Sequence, residues 1–100
     1  MRKLGEGILG ADNSAVTSVV SSASNVTLLA ENHRRLGASV HNDSTANLYL
    51  KFGATASTSS FTIKIAANTF WAFPGPTMYT GIVDGIWDAA NGNARMTETS

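Results

Sequence analysis

The feature that most constrains this chain is a pair of six-residue stretches in which apolar and polar residues alternate strictly. Leu48, Leu50 and Phe52 alternate with Asn47, Tyr49 and Lys51, and Phe61, Ile63 and Ile65 alternate with Thr62, Lys64 and Ala66. Successive side chains of an extended strand point to opposite faces, so a period of two describes a strand with one buried face. The polar segment from Gly53 to Ser60 separates the two and predicts an antiparallel hairpin with a long loop.

The rest of the chain follows suit. Ala15 to Ser21, Asn25 to Ala30, Leu36 to His41, Asn68 to Phe73, Tyr79 to Trp87 and Ala94 to Thr99 are short runs rich in Val, Thr, Ile, Phe and Tyr, divided by Ser, Asn, Asp and Gly. Pro74-Gly75-Pro76 predicts a sharp turn, and Asn91-Gly92 a type I′ hairpin joining the last two strands. Leu29 to Leu36 could form one helical turn but reads better as a loop. About eight short strands without a useful helical period predict an all-β fold, a single antiparallel β-sandwich or small barrel.

One hundred residues suffice for one core. Residues 1–14 hold three of the nine glycines and show no period, so they read as an N-terminal arm, leaving 15–100 as the β-sandwich domain. Leu4, Ile8 and Leu9 are apolar anchors with which such an arm would contact another subunit. The glycines at 5, 7 and 10 interrupt any apolar segment after the basic Arg2-Lys3, which argues against a signal peptide, and no run approaches the length of a membrane helix.

Charged residues make up 14% of the chain, against roughly 25% for an average soluble domain. Such a surface repels neighbours weakly. Seven basic and seven acidic side chains cancel, which disfavours nucleic acid and anionic lipid as partners. The lack of cysteine removes thiolate chemistry and fits folding in a reducing cytosol.

No motif assembles an active site. His33 and His41 lack metal-ligand spacing, and no Gly-x-Ser-x-Gly elbow occurs. Asp84 and Asp88 would stand roughly 13 Å apart along a strand, too far for paired carboxylate chemistry. Asp84 to Asn93 is rich in oxygen ligands, but Ile86 occupies a ligand position of the calcium loop. Gly5-x-Gly7-x-x-Gly10 matches a dinucleotide fingerprint without the strand and helix that give it meaning. No catalytic residue, metal or cofactor is expected. Tyr49, Trp71, Tyr79 and Trp87 are the aromatics that could serve a subunit interface or stack on a sugar.

The segments Val40-His41-Asn42-Asp43-Ser44-Thr45-Ala46-Asn47-Leu48-Tyr49-Leu50-Lys51-Phe52-Gly53 and Gly81-Ile82-Val83-Asp84-Gly85-Ile86-Trp87-Asp88-Ala89-Ala90-Asn91-Gly92, with Pro74-Gly75-Pro76 between them, resemble a small β module of tailed-bacteriophage virion accessory proteins, of capsid-decoration or head-fibre type. The resemblance runs from about residue 26 to Glu98. It implies a non-enzymatic structural protein that binds and stabilises the capsid surface as a decoration (cement) protein, is made in the host cytoplasm and resides in the virion. The implied partners are the major capsid protein or other virion subunits and further copies of the chain, with a trimer favoured. The alternative it leaves open is a head-fibre or tail component carrying a carbohydrate-binding β module.

Overall fold

The computed structural model describes residues 10–100, all of them strand, turn or loop. Eight strands follow one another: β1 (Ser14–Val20), β2 (Val26–Leu29), β3 (Gly37–Asp43), β4 (Leu48–Phe52), β5 (Ile63–Ile65), β6 (Phe70–Ala72), β7 (Val83–Trp87) and β8 (Asn93–Thr99). Every strand falls within or beside a run that the sequence marks out as extended. The segment from Ala30 to Leu36 is a loop, turned by a hydrogen bond from Arg35 N to Asn32 O at 3.0 Å. Asp12 and Asn13 are already tied by their N–H groups to Ser100 O, so the domain begins before residue 15.

The pairing has a simple rule. β1 lies antiparallel to β8, β2 to β7, β3 to β6 and β4 to β5, as in one long ribbon folded back at the β4–β5 hairpin. Wrapping that ribbon around a core brings β3 against β8 and β4 against β7. The result is two four-stranded sheets, ordered β1-β8-β3-β6 and β2-β7-β4-β5. This is the strand order of a jelly roll, a sandwich rather than a barrel. Of the seven connections, only β4–β5 stays within one sheet.

That topology overturns the predicted Asn91-Gly92 hairpin. β7 and β8 belong to different sheets, so residues 88–92 carry the chain across the sandwich. Neither Asn91 nor Gly92 has the positive φ that a type I′ turn requires; among the described residues only Gly53 (φ 118°) and Asn68 (φ 57°) do. Gly92 is needed for a different reason: a Cβ there would strike the carbonyl of Asp43 and come within 2.6 Å of Ser44 Cβ. The crossing segment is pressed against the β3–β4 loop.

Inward-facing residues fill the space between the sheets. Leu48 and Leu50 of β4, Val40 of β3, Val83 of β7 and Met96 of β8 are fully buried. Phe52 faces the same way, as its alternation predicts, but is only partly covered. Phe61 departs from its predicted face. It precedes β5 and packs edge-on against Tyr49 on the outer side, ring centroids 5.0 Å apart. Its strand is shortened because Thr62 turns its hydroxyl to the Phe52 N–H at 2.8 Å.

A polar cluster crosses the core. Asn42 donates its side-chain N–H groups to the carbonyls of Ala46, Ile65 and Ala66 at 2.8 to 3.1 Å, and its Oδ1 accepts from Ser44 Oγ and Trp87 Nε1. No buried side-chain nitrogen or oxygen among the described residues lacks a partner. The cluster fastens β3 to the ends of β4, β5 and β7, which pins the two sheets in one register.

Candidate interaction surface

The two outer faces differ. On the β2-β7-β4-β5 sheet, Gly53 ends β4 with its positive φ and the chain then folds back over the sheet. Lys51 Nζ donates to Thr55 O and Ser60 Oγ, and Ala56 N donates to Asn25 Oδ1. Beneath this cover Asp84 is 2% exposed and accepts from Asn25 Nδ2 at 3.1 Å and Thr27 Oγ1 at 3.2 Å. That face is largely occupied by the protein's own loop.

Among the described residues, nothing covers the outer face of the β1-β8-β3-β6 sheet in this way. The register places Val16, Ser18 and Val20 of β1 beside Thr97, Arg95 and Asn93 of β8, then Ser39, His41 and Asp43 of β3, with Phe70 at the far edge. Val16 is 68% exposed, Val20 72% and Phe70 64%. Among the described residues Arg95 is the only Lys or Arg on it, and its guanidinium is held by Asp43 Oδ2 at 3.1 Å and Ser18 Oγ at 2.8 Å. The face is broad, shallow and electrically neutral.

Its edge is unusual too. Asn13 and Ser100 exchange both backbone hydrogen bonds, and Ser21 N donates to Gly92 O. In an antiparallel ladder the bonded pairs alternate, so the odd-numbered residues of β1 face β8. The N–H and C=O groups of Ser14, Val16, Ser18 and Val20 therefore point away from β8, to an edge that no other described strand occupies. The other three edges are blunted: β5 and β6 have three residues each, and β2 has four with a bulge between Thr27 and Leu29. β1 has seven residues in unbroken register, with no charge and no proline. Natural edge strands usually carry one of those protections.

The aromatics predicted as one surface are divided among three environments. Trp87 is 1% exposed and donates to Asn42 Oδ1 at 3.0 Å, so its indole faces the core and can stack on nothing in solution. Trp71 and Tyr79 are half-buried in a cluster with Phe52 and Phe73, Tyr79 stacked on Phe52 at 4.6 Å and Trp71 lying 5.4 Å from Phe73. Tyr79 Oη also donates to Ile82 O. Tyr49 alone stands on the outer face of the other sheet. Partial burial of its phenol, then the hydrogen bond to Asp88 and the repulsion of that carboxylate, raise its pKa above the usual 10.0. Leu4, Ile8 and Leu9 lie outside the described residues.

The remaining chemical candidates stay dispersed. His33 pairs with Glu31 in the exposed loop at 2.9 Å, while His41 sits in the middle of β3. Asp84 is buried, whereas Asp88 accepts from Asn47 Nδ2 at 2.9 Å near the surface. Among the described residues no three His, Cys, Asp or Glu side chains stand together as a metal site would require. No helix among them is long and apolar enough to cross a membrane.

Sequence reasoning missed the open face because its marks are weak. Ala15 to Ser21 reads as a strand, but nothing local says that both its faces stay uncovered. What the geometry assembles is a sheet with one outer face and one long edge left uncovered among the described residues. Comparison of the chain with protein-family models, with curated proteins and with solved structures gives no match.

Proposed function

We propose that the chain is a non-enzymatic structural protein of a phage particle, one that binds and stabilises the capsid surface as a decoration protein. The observation that carries this reading is the neutral outer face of the β1-β8-β3-β6 sheet, left uncovered by the described residues and bounded by Val16, Val20 and Phe70. A flat face of this kind binds by many weak contacts, which repetition around a symmetric shell multiplies. The jelly roll is used by viral capsid and lectin domains, a fold-level analogy that agrees with the resemblance in the sequence. The partners under this reading are the major capsid protein and further copies of the chain. The carbohydrate-binding alternative has little to stand on with Trp87 in the core and Trp71 and Tyr79 packed against other rings.

The test is addition of the purified protein to phage capsids stripped of accessory proteins, with occupancy counted by cryo-electron microscopy. Saturable binding at symmetry-related positions and a raised capsid melting temperature are expected. Absence of occupancy would sink the reading. Deleting residues 2–9 separately tests the arm: occupancy should fall about tenfold or more if Leu4, Ile8 and Leu9 supply a second point of attachment, and unchanged occupancy removes the tether from the mechanism.

A further inference from the structure

We propose that β1 is a self-pairing edge, through which two copies of this chain join β1 to β1 antiparallel about a two-fold axis at Thr17. The two sheets then become one continuous sheet of eight strands. This contact concerns copies of the chain alone and stands or falls independently of any capsid role.

The backbone makes the first part of the case. The outward N–H and C=O groups of Ser14, Val16, Ser18 and Val20 are the donors and acceptors that an added antiparallel strand requires. A copy of β1 offers the same four residues with the same spacing. A two-fold axis at Thr17 sets Ser14 against Val20, Val16 against Ser18 and Thr17 against its own counterpart, and no other register uses all seven residues. Each pair joins residues of equal parity, so the outer face of one copy continues as the outer face of the next. Each exposed valine then lies beside a serine, large against small.

Charge supplies the second part. β1 has no ionised side chain, the chain as a whole has a net charge of zero, and the neighbouring Arg95 is neutralised by Asp43. No charge on β1 repels a second copy from this edge. An isologous contact needs a surface complementary to itself. β1 meets that condition in length, hydrogen-bond polarity and charge, while the three blunted edges fail on length.

Sedimentation of the full chain over a concentration series tests the contact, together with three variants. Wild type should form a species built from pairs of copies. Val16→Lys places like charges at the seam and should weaken association about tenfold or more with an unchanged melting temperature. Val16→Pro removes an N–H that the β1–β8 ladder does not use, and should have the same effect. Thr17→Cys fixes the register: the Cα atoms of a non-hydrogen-bonded pair lie about 4.5 Å apart, within disulfide range, so diamide should cross-link two chains. Ala15→Cys, facing Val19 of the other copy, should stay uncross-linked. The chain has no cysteine of its own to confuse the result. A monomer at every concentration, a trimer as the only assembled species, or association indifferent to Val16→Lys with no Thr17→Cys cross-link would each overturn the proposal.

Discussion

Arg35 sits where the loop after β2, the loop before β7 and the end of β8 converge. Its side chain is wholly buried, its Nε lies 2.7 Å from Glu98 Oε2, and its remaining nitrogens donate to the carbonyls of Ala30, Tyr79 and Gly81. One guanidinium thus satisfies four acceptors that have no other reason to meet. Arg35→Met should cost about 3–5 kcal/mol in chemical denaturation, because it leaves a carboxylate and three carbonyls without their donor. Glu98→Gln, which keeps an acceptor on a partly exposed side chain, should cost less; equal losses would refute the account. The sequence holds no sign of this role. Leu29 to Leu36 reads as a loop, arginine is rarely buried unless paired, and the partner of Arg35 is 63 residues away.

At the scale of elements, strands were legible and sheets were not. Alternation is local, so Leu48 against Tyr49 announces both a strand and its buried face. A strand's partner is set by the path of the chain, and Asn91-Gly92 shows the consequence: the same dipeptide that closes hairpins here carries the chain from one sheet to the other. Gly92→Ala tests the distinction. The added methyl meets backbone at Asp43 and the Cα of Ser44, neither of which can swing aside, so a loss of about 1–3 kcal/mol is expected in thermal unfolding. A neutral or stabilising result would mean that the crossing segment is loosely held. Phe61 was misplaced for a related reason, because alternation continues past the point where Thr62 ends the ladder.

For the whole molecule, the ribbon topology pairs the beginning of the described chain with its end. The β1–β8 and β3–β8 ladders cannot form until most of the chain is in place, and the entropy of closing such long loops comes first. Refolding followed by the fluorescence of buried Trp87 should therefore relax in milliseconds to seconds; microsecond folding would contradict the topology. The candidate surface was the least legible feature at this scale. Low charge and the strand-forming run of Ala15 to Ser21 are visible in the sequence, but which face lies open depends on where the loop between β4 and β5 folds.

The closure of the sheet by Asn13 and Ser100 has a mechanical side. These residues lie across from each other at the same end of β1 and β8, so tension between them opens the ladder one bonded pair at a time, like a zipper. Tension along β1, as when a neighbour drags on its free edge, loads all the bonds to β8 at once. The domain is thus compliant to a pull that separates Asn13 from Ser100 and stiff to one that slides its edge.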